Sequence, residues 1–310
     1  MSQHWTEQKE RSNRFWLTLI RRLALALPRW LVKPLLYPIV AFYWVISPGQ
    51  RQASRHYLSR VLTQPVRPWH TYQHFLWFAI TILDRVYFLT GRWSAFHVSY
   101  DHLEEYKAAI SKQAHLLLGA HFGSLDATRT LSQDRHDRPI KVVLKVDQNA
   151  QLVALLNELN PGMEDNLLPY RGMETIFDIY QTLQDGQSVA MLKDRPVGDE
   201  STVPVTFFGD TLCLPISGFK LAKRFRIPSM VFFGRYQGGN RYRVSSEMLP
   251  FTPDMSLQQM AQLYMDKVAE QCRQAPYNWF NFYPYWSETG SDCRSASSPA
   301  SENDPAREAP

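Results

Sequence analysis

Apolar positions along this chain change period several times, and each change predicts an element. Over residues 13–27 (NRFWLTLIRRLALAL), Arg14, Thr18, Arg21 and Arg22 fall on one helical stripe, with Phe15, Trp16, Leu19, Ile20, Leu23 and Leu27 elsewhere, which predicts an amphipathic helix. Residues 31–46 form a 16-residue apolar run interrupted by Lys33, Pro34 and Pro38. That is short for a spanning helix, and the prolines predict a broken or re-entrant segment. Residues 51–115 read as helical, and the apolar stretch 71–89 has Asp84 and Arg85 as its only charged residues. Downstream, short apolar runs at 116–119, 141–145, 167–170, 188–192, 203–208, 229–234 and 242–245 predict strands. Helical spacing lies between or after them at 151–159, 173–184, 216–225 and 257–272. Strands alternating with helices predict an α/β fold: a mixed central sheet covered by helices on both faces, preceded by an amphipathic and hydrophobic membrane-docking helical segment. Residues 287–310, rich in Ser, Ala, Pro and Glu without apolar periodicity, read as a disordered tail. The chain thus divides into a docking segment (1–50), an α/β domain (51–286) and a tail (287–310).

Charge sharpens the reading of the N-terminus. The net charge of +5 is uneven: residues 1–60 contain ten Lys or Arg against two Glu, whereas residues 287–310 carry five acids against two Arg. A basic stripe on a strongly apolar helix with an interfacial Trp suits a layer of anionic lipid headgroups. The same apolar content argues against nucleic acid as the partner. Three cysteines, Cys213, Cys272 and Cys293, are odd in number and lack metal-ligand spacing, which points to a reducing cytosol and to no metal site. The histidines show no zinc spacing either.

The strongest chemical signal is the run LLLGAHFGSLD at 116–126, where a buried strand ends in a small-residue turn with His121 and Asp126 five positions apart. A carboxylate folded back onto an imidazole fixes its tautomer and supports the positive charge formed when it takes a proton. Among the nine histidines only His121 has an acid at that offset. Spacing of this kind also arises by chance, as a satisfied histidine and a helix-capping Asp; the position at a strand end favours chemistry. Ser124 follows His121 closely, but the run from Gly123 to Asp126 lacks the second glycine of a nucleophile elbow, which disfavours a serine hydrolase. Arg171, between a strand and a helix, has the fixed charge and directed donors to bind a phosphate or polarise an acyl carbonyl. Asp194, at a strand end, could orient Arg171 or an acceptor, or serve only as a cap. Lys220, Lys223, Arg224 and Arg226 form a basic cluster suited either to an acidic carrier protein or to plain solvation.

These residues also carry a family resemblance. The segment 119–129, GAHFGSLDATR, resembles the His-four-residues-Asp motif of the lysophospholipid acyltransferase superfamily. The downstream order is similar to its lipid A late-acyltransferase branch: Arg171-Gly172 before a helix, a strand ending at Asp194, the turn Phe207-Phe208-Gly209, and a strand after Ile227-Pro228. Two features depart from the branch. Asp194 is followed by Arg195 where Asp-Gln is usual, and the aromatic stretch 276–286 (PYNWFNFYPYW) looks more like relatives associated with aryl-polyene lipid pathways.

The resemblance implies a metal-independent acyltransferase on the cytoplasmic face of a bacterial-type inner membrane, using acyl carrier protein or coenzyme A as donor. In this reading His121 is the general base and Asp126 its orienting carboxylate. Backbone donors around Gly123 and Ser124, or Arg171, hold the oxyanion. The acceptor is a lipid A precursor, a lysophospholipid or another amphiphile. The rival readings are a lipid hydrolase that uses the same His on water, and a non-catalytic membrane-binding protein.

Overall fold

The computed structural model describes residues 22–129, 140–144, 158–159, 162–196, 200–287 and Cys293. The expected helix at 151–159 and the stripe residues Arg14 and Arg21 therefore lie outside or largely outside the described residues. The strands are β1 (His97–Asp101), β2 (Leu116–Gly119), β3 (Lys141–Leu144), β4 (Leu167–Pro169), β5 (Val189–Leu192), β6 (Thr202–Phe207), β7 (Asp210–Pro215), β8 (Ser229–Tyr236) and β9 (Arg241–Leu249). Seven of them form one sheet in the order β1-β9-β8-β2-β5-β3-β4, and β6 with β7 forms a separate antiparallel hairpin. All pairings in the large sheet are parallel except β8 with β9.

The mixed α/β sheet is the expected one. β2 (LLLG) is central and fully buried, because a parallel strand covered on both faces can expose no polar position. Helix α1 (Arg29–Val32), α2 (Leu36–Ile46), α4 (Pro68–Leu89) and α5 (Leu103–Lys112) pack on one face with Leu117, Ala190 and Phe232. Helix α3 (Pro48–Val61), α7 (Met173–Gln184), α8 (Ser217–Phe225) and α9 (Leu257–Gln274) cover the other with Leu118, Met191 and Val231; the one-turn α6 (Leu125–Thr128) lies between β2 and β3. The start of α9 is set by a capping box in which Ser256 and Gln259 satisfy each other's backbone N–H. Two strands escaped the sequence reading. β1 is a short edge strand of polar character, and β7 begins with two exposed residues, so neither shows a long apolar run.

The prolines of the N-terminal region bend the chain without interrupting it. A tight 3-10 turn at Lys33–Leu35 joins α1 to α2, so residues 29–46 form one helical stretch of 18 residues, long and apolar enough to cross a membrane. Trp30, Leu31, Leu35, Phe42, Val45 and Ile46 are exposed on it. Val32, Leu36 and Val40 join the core, and buried Arg29 grips Asp84 of α4 at 2.5 and 2.8 Å. Tyr242 of β9 donates to the same carboxylate at 2.6 Å. A buried ion pair whose carboxylate accepts three hydrogen bonds is costly to open on one side, so this contact ties the apolar segment to the sheet.

The cysteine reading needs correcting. Cys213 of β7 is bonded to Cys293, 80 residues away, and buried Cys272 is free. Such a bridge does not fit the expectation of a reducing compartment. It anchors Cys293; the rest of residues 288–310 lies outside the described residues.

Candidate active site

Parallel pairing sets the site. In the β2/β5 register Leu116 lies opposite Val189 and Gly119 opposite Leu192. Extending that offset past both strand ends brings His121 to Asp194. The backbone N–H of His121 donates to Asp194 Oδ2 at 3.0 Å, and its ring Nδ1 lies 2.8 Å from Oδ1. The indole Nε1–H of fully buried Trp279 donates to Oδ2 at 3.0 Å, and the hydroxyl of Tyr285 donates to the Asp194 carbonyl. Three donors on one carboxylate leave the ring little freedom.

Electrostatics fit a neutral imidazole beside an ionised carboxylate. Burial pushes the Asp194 carboxyl up, but His121 and Arg195 outweigh it and hold the group well below the usual carboxylate range. Burial, followed by the charge of Arg195, lowers His121 from the ordinary imidazole value despite the opposing pull of Asp194. Ionised Asp194 can only accept, so Nδ1 carries the proton and Nε2 presents its lone pair. The His121 side chain keeps 37% of its surface exposed, and Nε2 has no hydrogen bond among the described residues. Phe280 donates its N–H to the His121 carbonyl, and its ring meets that of half-exposed Phe78 at 5.2 Å, which gives the site an aromatic rim.

The structure relocates most of the other expected residues. Asp126 does not reach His121. Ser124 caps α6 by accepting from Ala127 N–H, and that turn carries the Asp126 carboxylate to Arg85 of α4, 2.8 Å away, with Arg129 at 3.8 Å. Asp126 thus ties the turn to α4, and Asp194 takes the place expected for it.

Gly123 and Ser124 are not free for substrate either. Their N–H groups donate to Asn278 O at 2.8 Å and Gly234 O at 2.7 Å, and Phe122 N–H donates to Ala120 O. Gly123 has φ +58, and a Cβ there would lie 2.0 Å from Gly234 O, so only glycine fits. Arg171 is exposed on the same edge of the sheet, but β4 lies three strands from β2, about 14 Å at the usual strand spacing. Its side chain does not reach His121.

The basic cluster also moves. Helix α8 starts with Ser217 beside Lys193 and ends before β8, whose Ser229 pairs with Leu116 at the start of β2. Exposed Arg224 and Arg226 therefore sit at the edge of the sheet opposite His121, with Lys220 between. Lys223 Nζ donates to the Met255 carbonyl.

Several residues that hold the site gave no motif signal. Asn278 exchanges two hydrogen bonds with the backbone of Tyr236, at 2.8 and 3.1 Å, and so docks the 278–281 segment beside the turn. Buried His74 sits between Ser54 Oγ at 2.9 Å and Trp279 O at 2.8 Å. The 276–286 aromatic stretch was legible only as packing, because a run of rings does not reveal which indole meets a carboxylate.

Among curated proteins none matches this chain. The sequence profile described as "Bacterial lipid A biosynthesis acyltransferase" matches residues 78–288, which include β2, the His121 turn, Asp194 and the 276–286 stretch. That span is more than half of the chain, and the chain belongs to this family of acyltransferases.

Proposed function

We propose that this acyltransferase moves an acyl chain from a thioester, borne by acyl carrier protein or coenzyme A, to a hydroxyl or amine of an amphiphilic acceptor, with His121 as general base. One observation carries the reading: an imidazole clamped at Nδ1 by a buried carboxylate, with Nε2 left open at the end of a central parallel strand. Nε2 takes the proton of the acceptor group as it attacks the thioester carbon. The tetrahedral intermediate then expels the thiolate, to which His121 returns the proton; the C–S bond breaks and a C–O or C–N bond forms. Asp194 holds the imidazole in the required tautomer and balances the imidazolium that forms. No metal is needed for these steps.

The acceptor class is a lipid A precursor or a related amphiphile, with the aryl-polyene-associated branch kept open by the 276–286 stretch. The exposed apolar face of residues 29–46 supports docking at the membrane. The thioester donor is the ground for proposing the cytoplasmic leaflet of the inner membrane, and the Cys213–Cys293 bridge stands against it. A carrier protein docking on Arg224 and Arg226 would face the edge opposite His121, about 12 Å or more away along α8. Its prosthetic arm would have to cross that distance, so charge reversal there should raise the KM for carrier substrate and spare a short pantetheine thioester.

The test is thiol release from dodecanoyl-acyl carrier protein with underacylated lipid A in detergent micelles. Transfer requires release that depends on the acceptor and disappears in His121→Ala. Release without acceptor at the same rate would instead favour a hydrolase, and none in the wild type a binding protein.

A further inference from the structure

Thioester attack puts a negative charge on the former carbonyl oxygen, and the turn after β2 has little to offer it. The N–H groups of Phe122, Gly123 and Ser124 are already donated, and Arg171 lies several strands away. Resting on the reading of His121 as base, we infer that Arg195 is the catalytic residue that binds the thioester carbonyl oxygen and the oxyanion formed from it.

Position is the first argument. The Arg195 Nη2 donates to the carbonyl of Phe280, whose own N–H donates to the carbonyl of His121. Through one residue, Phe280, the guanidinium is thus linked to the His121 backbone. Its Nε is 3.9 Å from Asp194 Oδ2, on the same carboxylate that holds the imidazole.

Availability is the second. That 3.9 Å is too long for a hydrogen bond, and the Nε is buried without a partner. The Nη1 has no hydrogen bond among the described residues. A guanidinium that spends one nitrogen on a carbonyl and one face on the Tyr283 ring, 5.0 Å away, is held in place with donors to spare.

Charge balance is the third. Before attack, Asp194 and Arg195 offset each other beside a neutral His121. Proton transfer to Nε2 and attack on the carbonyl create one imidazolium and one oxyanion together. A fixed cation on the oxyanion side and a fixed anion on the imidazolium side stabilise both without reorganisation, which is where such groups contribute most to rate.

The alternative is that Arg195 only clamps the 280–283 segment. Arg195→Met and Arg195→Ala separate the two, assayed in the full-length protein by thiol release from dodecanoyl-acyl carrier protein with underacylated lipid A micelles, beside His121→Ala and with thermal melts of each. The expected result is a loss of about 10²–10³ in kcat for Arg195→Met with KM little changed, and partial recovery of Arg195→Ala, but not of His121→Ala, by added methylguanidine. Recovery by a free guanidinium is an effect that a lost clamp does not produce. Wild-type turnover in Arg195→Met with an inert His121→Ala overturns the inference and leaves the proposed function standing. A slow Arg195→Met with a lowered melting temperature and no recovery of Arg195→Ala by methylguanidine overturns it in favour of the clamp. Undiminished turnover in His121→Ala removes the base on which both rest.

Discussion

His121 and His74 are bound to the two sides of one peptide group, that between Trp279 and Phe280, and the occupancy of their ring nitrogens decides their use. Both imidazoles are lowered below the ordinary value by burial, His74 to about 4. His74 has both nitrogens occupied: Nε2–H donates to the Trp279 carbonyl, so Nδ1 accepts from the Ser54 hydroxyl. His121 is held in the opposite tautomer, with Nδ1–H on Asp194 and Nε2 unoccupied. A lowered pKa alone does not distinguish the reactive histidine here, although His121 keeps 37% of its side chain exposed and His74 none. The open lone pair does, and it exists because an acceptor-only carboxylate sits on the other nitrogen.

The largest effect should fall on the open histidine. His121→Ala should lose at least about a hundredfold in turnover, the scale of a general base. Asp194→Asn should be comparably damaged, since an amide facing Nδ1 can donate and so turn the ring to the wrong tautomer. Rates measured on variants whose melting curves match the wild type check this, and normal turnover in either variant would erase the difference between the two histidines.

His74→Phe tests the closed one. It leaves the Trp279 carbonyl and the Ser54 hydroxyl unpaired, at a cost of about 1–3 kcal/mol in stability, while turnover per folded molecule stays near the wild type. Stability should also change with pH. An unfolded histidine takes its proton near 6.5, whereas folded His74 resists until about 4, so protonation favours the unfolded chain as pH falls between those values. Denaturant titrations across that window should show stability falling with acid in the wild type and a shallower fall in His74→Phe.

A third outcome concerns pH and rate. Because His121 is lowered from its ordinary value, the pH at which kcat falls to half as the base becomes protonated should lie below 6.5. A rate already halved above pH 6.5 would contradict a base lowered by its surroundings.

The smallest effect is expected at Asp126, the residue whose spacing first drew attention. Asp126→Asn weakens a part-buried, hydrogen-bonded pair with Arg85, at a cost of about 1–3 kcal/mol in stability and not in the chemical step. It should reduce turnover far less than Asp194→Asn. An equal loss in the two variants would restore Asp126 to the imidazole and break the assignment made here.

The linear chain determined much of this. Short apolar runs of four to eight residues bounded by turn residues fit strands buried on both faces, so β2, β5 and β8 were legible, and the 3.6-residue periods located α7, α8 and α9 within about a residue or two. The strand-end position of His121 was equally plain, as was that of Asp194. Their meeting was not. A parallel pair is joined through a crossover, so which strand lies beside β2, and in what register, depends on how the helices pack and not on any local pattern. The five-residue spacing to Asp126 was local and visible, yet the one-turn helix between them carries that carboxylate to Arg85. Tertiary structure alone decided that residues 73 positions apart share a hydrogen bond while residues five apart do not.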